Sequence, residues 1–262
     1  ISELTYFGDD QIMSELQQRG TEISKVNFTF DSLFRKKTRV TQFDTATAST
    51  ITTTYRTDNQ PSQVGSIVLN YDATSGRVGT TTIGNIKDLR TYDTYGNLQN
   101  YSSTYQVGTS TPTALYSYSL TRDNLHRITT KTEIVQGTTT TYVYTYDNSG
   151  RLQTVTKNGV AESSYTYDSN SNRTSGTMNG SAFTGTYDDQ DRMTAFTGFT
   201  YQHNANGEVT EIRNVSTNTA TNLTTDTMGR ITQFTTPTSV LVDYKLDWSG
   251  RRNVKLVNNT VQ

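Results

Sequence analysis

Residues 142–152 read YVYTYDNSGRL, and the fold is read outward from this stretch. Tyr142, Tyr144 and Tyr146 alternate with Val143 and Thr145, so an extended chain puts the tyrosines on one face and the other two residues on the opposite face. Asp147 enters a turn and can accept hydrogen bonds from backbone N–H groups about two residues on. Gly150 supplies the positive φ that a tight hairpin needs. Arg151 then starts a return strand, and Leu152 brings an apolar side chain back to the packed face. The stretch therefore predicts one β-hairpin.

The same unit recurs. Clear copies are Tyr71-Asp72 with Gly76 and Arg77, Tyr92-Asp93 with Gly96, Tyr167-Asp168 with Arg173, and Tyr187-Asp188 with Arg192. Degenerate copies start at Phe30, at Arg122 (Asp123, Arg127), at His203 (Gly207), at Thr225 (Asp226, Gly229, Arg230) and at Leu246 (Asp247, Gly250, Arg251). Weaker ones lie near Asp10 and Asp58. Asp72 and Asp93 are 21 residues apart, as are Asp147 and Asp168, and Asp226 and Asp247; Asp93 to Asp123 spans 30. Such a period fits two strands of about 5–8 residues and two turns. Val78, Ile128 and Ile231 repeat the role of Leu152, and Asn172 takes the positive φ where glycine is missing. Tyrosines of successive repeats are expected to stack as aromatic ladders along one face. Residues 10–19 (DQIMSELQQR) also permit a short helix capped by Asp10, but they lie one repeat before Asp31, and strand is the favoured reading. The expected organisation is one array over 1–262, degenerate over 1–70, clear over 71–252, with a trailing strand or tail over 253–262.

Composition agrees with a wet sheet. Only 31% of residues are hydrophobic, too few for a thick core, yet 17 Tyr, 9 Phe and a net charge of −1 argue against disorder. Threonine runs such as Thr52–Thr54 and Thr138–Thr141 favour a half-wet pleated surface. A single-layer shell, with water or a client inside it, makes that balance natural. The absence of Cys excludes disulfides and thiolate metal sites. No apolar run reaches the roughly 18–20 residues of a membrane-spanning helix, and the near-zero charge gives no reason to expect nucleic acid.

The Tyr-Asp-x-x-Gly-Arg-Leu pattern at this spacing resembles the YD repeats of Rhs proteins, of toxin-complex B and C subunits, of wall-associated polymorphic toxins and of teneurins. The resemblance implies an all-β array of antiparallel hairpins whose sheet spirals into part of a hollow shell, a β-cocoon. It also implies a bacterial protein that is secreted or at the cell surface and encloses a toxin or other polypeptide from the same gene. The self-cleaving segment and the toxin of such proteins have no counterpart before Gln262, so the chain is expected to be a fragment of shell. Open edge strands could pair with a second copy.

Little in the sequence speaks for chemistry. His126 and His203 are placed in repeat turns without metal-ligand spacing. Asp188, Asp189 and Asp191 form the densest acidic cluster, read as a solvated turn rather than a Ca²⁺ site. Arg35, Lys36, Lys37 and Arg39 form the basic patch, read as charges that protect an edge strand. Exposed tyrosines and Trp248 could stack on sugar rings. Asn27, Asn179 and Asn214 head Asn-x-Ser/Thr triplets, expected by chance in so Asn- and Thr-rich a chain. No catalytic residue, cofactor or metal site is expected. The leading reading is an encapsulating shell module, and the alternative is a surface adhesion module for a glycan or a partner protein.

Overall fold

The computed structural model describes residues 2–7, 11–19, 22–246 and 250–261. Among them all regular structure is β, in 25 strands. The chain divides into two compact units, Ile1–Tyr142 and Val143–Gln262.

In the first unit each strand from Ser2–Phe7 to Ile128–Val135 pairs antiparallel with the next in sequence. In the second the same meander runs from Leu152–Lys157 to Thr260–Val261. Gln11–Arg19 is a strand, not a helix; Asp10, its proposed cap, lies outside the described residues. Lys36–Phe43 is paired on both sides, with Glu22–Phe30 and with Ser49–Tyr55. It is therefore no edge strand, and edge protection does not explain its charges.

Strand connections in a meander alternate between two edges, and the edges here differ. One carries the Asp-led turns. The other is closed mostly by two-residue turns that place positive φ where hairpin twist requires it, as at Asn158-Gly159 and Asn179-Gly180. Opposite the Asp-led turns, residues Gln106–Pro112 form a longer loop, and Thr236 to Val240 form a turn with Thr236 N–H bonded to the Val240 carbonyl at 2.9 Å.

Few side chains are deeply buried. Among the described residues of the first unit no hydrophobic side chain is buried; in the second only Val155, Phe183 and Val242 are. Close packing surrounds Gly176, which is paired with Tyr165 on one side and Phe183 on the other. The Tyr165 and Phe183 rings approach to 6.1 Å between centroids, and Phe196 stacks on Phe183 at 5.4 Å. A Cβ on Gly176 would stand 1.8 Å from the Ser164 carbonyl oxygen. No other residue fits at that crossing. Burial of this scale cannot by itself offset the ordering of so many strand residues, so local polar bonding must carry much of the fold.

Candidate functional site: the repeat turn and its ladder

The Asp-led turn repeats one geometry. In Asp147–Arg151 the Asp147 N–H donates to the Arg151 carbonyl at 2.9 Å, and the Gly150 N–H donates to the Asp147 carbonyl at 2.9 Å. The carboxylate closes the loop from inside. Its Oδ1 accepts the N–H groups of Ser149 and Arg151, and its Oδ2 accepts the Arg151 Nε–H at 2.8 Å. The turns led by Asp31, Asp123, Asp188 and Asp226 repeat every one of these bonds with Arg35, Arg127, Arg192 and Arg230. In the Asp93 and Asp168 turns Asn97 and Asn172 replace the guanidinium through Nδ2. The aspartate is thus an internal acceptor for three donors, which is why the turn so often starts on Asp.

Two expectations about these residues are corrected. The Arg or Asn closes the turn and does not start the return strand, which begins one residue later, as at Leu152. In the Asp168 turn the closing residue is Asn172, the positive φ belongs to Ser171 at 72°, and Arg173 opens the strand. The fourth position also accepts Phe34, Asn59, His126 and Asp191, all at positive φ, so glycine is favoured there and not required. The Asp72 turn is one residue longer: Asp72 N–H donates to the Arg77 carbonyl, and Ser75 replaces the guanidinium on the carboxylate.

These carboxylates titrate below their ordinary value. The side-chain bond from Arg192 lowers Asp188 to about 2, from 3.8, against the upward push of desolvation. Asp226 is lowered by the side-chain bond from Arg230, and Asp147 by the backbone N–H of Arg151. At Asp31, Asp93, Asp123 and Asp168 desolvation pushes upward and is outweighed by the sum of the turn's hydrogen bonds.

Beyond the turn every described hairpin of this kind carries a one-residue bulge. Thr166 pairs with Ser175 while Tyr167 pairs with Arg173, leaving Thr174 extra; Thr129, Thr194, Thr210 and Thr232 hold the same place. The bulged hydroxyl bonds back across the hairpin. Thr129 shares a hydrogen bond with Thr121, Thr174 with Thr166, and Thr194 with Thr186. The repeat sequence shows the signal for this latch, a Thr two residues before the Asp and another six after it, and sequence reasoning missed it.

Neighbouring turns are linked through the tyrosine. Its hydroxyl donates to the carbonyl that opens the preceding return strand: Tyr55 to Lys36, Tyr71 to Pro61, Tyr92 to Val78, Tyr167 to Leu152 and Tyr187 to Arg173, at 2.7–3.1 Å. The preceding arginine lies over the ring, Arg35 on Tyr55 at 4.3 Å, Arg77 on Tyr92 at 5.8 Å and Arg151 on Tyr167 at 4.5 Å. Arg151 also donates to the Asp168 carbonyl. Tyr55, Tyr92 and Tyr167 therefore alternate with guanidinium groups, and these repeat tyrosines do not stack ring on ring as expected. Tyrosine stacking occurs elsewhere, between Tyr101 and Tyr118, centroids 5.4 Å apart.

The ladder also passes under the glycines. A Cβ on Gly96 would lie 3.1 Å from the Arg77 guanidinium, and one on Gly250 would lie 2.9 Å from that of Arg230. Gly207, Gly229 and Gly76 have positive φ at the same turn place. Arg251 is exposed; Asp247 and Trp248 lie outside the described residues.

The remaining candidates take structural places. His126 is an exposed turn residue with φ 62°. His203 is not in a turn; it is the half-buried last residue of Phe199–His203, in the tyrosine's place. Asp188 closes its turn, Asp191 accepts the amides of Asn170 and Asn172, and Asp189 is exposed. Lys36 lies over the Phe28 ring. Among the described residues no three His, Cys, Asp or Glu converge as a metal site, and no helix is long and apolar enough to cross a membrane.

The teneurin YD-shell family model matches residues 6–262. The chain belongs to the teneurin YD-shell family. No curated protein matches this YD shell in sequence. Among solved structures, the crystal structure of TcdB2-TccC3-Cdc42 is similar with a TM-score of 0.52 at 13% identity, covering 99% of this chain and 15% of that one. TcdB2-TccC3 without the hypervariable C-terminal region gives 0.52 at 12%, covering 98% and 15%. The Photorhabdus luminescens Tc holotoxin pore gives 0.49 at 11%, covering 99% and 17%. At such identities the likeness to the first two shows the fold, and the YD shell spans about 15% of the length of those chains. Its family is one of structural shell modules, not of enzymes.

Proposed function

We propose that this YD-shell module is a stretch of container wall, part of a larger product that encloses a toxin or other polypeptide from the same gene. The observation that carries the reading is the turn ladder. Asp, Arg and Tyr join neighbouring hairpins, as Asp147 and Arg151 are joined to Tyr167, through bonds confined to one edge, with few side chains deeply buried among the described residues. A sheet held in this way needs nothing packed against its face, so a wall of it can surround a client without gripping it. Its work is physical, excluding protease and solvent, and calls for no catalytic residue. The whole of 1–262 serves as one repeat array, and the parent protein is placed outside the cell or on its surface, in bacteria.

Limited proteolysis with mass spectrometry on the full-length parent product tests this. Sequence outside the shell repeats should resist protease while the shell is intact and be digested once the shell is unfolded. Immediate digestion of that sequence in the intact product overturns the reading.

A further inference from the structure

Three tyrosines meet on one face of the hairpin formed by Leu98–Tyr105 and Thr113–Arg122. Tyr101 and Tyr118 are direct cross-strand partners, their ring centroids 5.4 Å apart and their planes 19° from parallel. Tyr116 lies 6.0 Å from the first ring and 5.8 Å from the second. All three are half-buried, so packing fixes the rings while small reagents still reach them.

The surroundings suit removal of a hydrogen atom from a phenol. The Tyr116 hydroxyl donates to Glu133 Oε2 at 3.3 Å, and the Asp88 carboxylate is a hydrogen-bond partner of the Tyr101 hydroxyl. A phenol that loses an electron becomes a strong acid, and a carboxylate in reach takes its proton. The cations on this face are compensated, Arg90 by Asp88 at 3.4 Å and Lys131 by Glu133 at 2.5 Å. Arg90 lies over the Tyr101 ring and Lys131 over the Tyr118 ring, at 5.3 and 5.8 Å. When electron and proton leave together the product is a neutral phenoxyl, which neither cation opposes.

This hairpin also has much to gain from a covalent tie. Its strands are joined by the seven residues Gln106–Pro112, the longest connection among the described residues. Beside that loop the pairing shifts register, since Ser103 faces Tyr116 and Thr104 faces Ala114. The chain has no cysteine, so no disulfide can hold the two strands together.

We propose that Tyr101 and Tyr118 form a cross-linking site, joined carbon to carbon by a one-electron oxidant of the peroxidase class into a dityrosine that staples the hairpin. Each phenol gives up one electron and one proton, and one hydrogen peroxide is reduced to two waters. The two phenoxyls couple at the ring carbons next to their oxygens. The hydrogen on each coupled carbon then moves to the oxygen, restoring both phenols, so the chain loses two hydrogens in all. Rings already in contact react ahead of tyrosines that must meet by diffusion. The bond would close a loop between residues 17 apart in sequence and so restrict the unfolded chain, as a disulfide does. The site is independent of what the shell encloses.

The test is oxidation of the dilute 262-residue chain with horseradish peroxidase and hydrogen peroxide, at a dose that modifies the exposed Tyr95. The monomer is then isolated and digested with trypsin. Peptide 91–122, which holds both tyrosines, should lose two hydrogens, with no fragment ions from cleavage between residues 101 and 118. Tyr101→Phe and Tyr118→Phe should each lower dityrosine fluorescence of the monomer by roughly tenfold or more, because the remaining phenols lack a partner held in place. Tyr105→Phe, which removes an exposed phenol of the same hairpin, should leave it unchanged. Circular dichroism spectra like that of the parent chain confirm that each variant is folded. The cross-linked monomer should also melt at a higher temperature than Tyr101→Phe treated in the same way. An unlinked peptide 91–122 at that dose overturns the proposal, as does fluorescence that survives unchanged in Tyr101→Phe or Tyr118→Phe. A link that forms without raising the thermal midpoint overturns the staple.

Discussion

Replacing Gly176 by alanine is the sharpest test of how this sheet is packed. The new Cβ would sit 1.8 Å from the Ser164 carbonyl oxygen and 3.1 Å from the Phe183 ring. Ser164 O is backbone of the paired strand, so no rotamer change relieves the overlap. Gly176 also has φ +151°, which side chains disfavour by about 1–3 kcal/mol. To accept the methyl group the strand must separate from its partner near Tyr165, leaving backbone groups unpaired at about 1–3 kcal/mol. It must also displace the Tyr165–Phe183 contact, worth about 0.5–1.5 kcal/mol. Together these predict a loss of about 2.5–7.5 kcal/mol. Gly180, in the next turn of the same hairpin, is the control: its φ is +75° but nothing lies within 4 Å of a Cβ there. Gly180→Ala should cost only the backbone term, about 1–2 kcal/mol. Urea unfolding followed by circular dichroism gives both values. Failure of Gly176→Ala to fold while Gly180→Ala folds also fits. Losses equal within about 0.5 kcal/mol would refute the steric argument.

Other expectations bear on the turn and the ladder. Tyr167→Phe removes the hydroxyl that donates to the Leu152 carbonyl and should cost about 0.5–1.5 kcal/mol in the same assay, with the ring still under Arg151. Gly150→Val, at φ 81°, should lose about 1–3 kcal/mol, and a change of only a few tenths would mean the strain is not there. Asp147→Ala should lower the thermal midpoint well below that of Ser149→Ala, because only the aspartate satisfies the Ser149 and Arg151 N–H groups. Acid should act through the lowered aspartates. Their contribution is complete above the ordinary carboxylate value of 3.8 and is lost as pH falls through the folded value, about 2 at Asp188. The thermal midpoint should thus hold from neutrality to near pH 4 and fall between about 4 and 2; a fall already complete above pH 5 would refute this.

Much of this architecture is legible in the residues because each repeat writes its turn locally. Tyr146-Asp147 with Gly150 and Arg151 states a strand end, an acceptor, a positive φ and a closing donor within six residues. The misreadings came where one position could be filled by more than one chemistry. Asn172 was assigned the strained place because asparagine tolerates it, yet it is needed as the donor to Asp168, and Ser171 takes the strain. The basic run at Arg35–Arg39 looked like an edge because its pairing partners lie on both sides in space and cannot be counted along the chain.

The unlike edges of the meander divide constancy from variation. Along one edge the spacing is held by bonds that measure single residues, from the aspartate to its closing donor and from the tyrosine to the preceding carbonyl. Along the other, connections range from two residues at Asn158-Gly159 to the seven of Gln106–Pro112, and the neighbouring turns keep their form. Growth in the chain is therefore absorbed on one side only. A lineage of such repeats can lengthen, decorate or trim one margin of the sheet while the opposite margin keeps count.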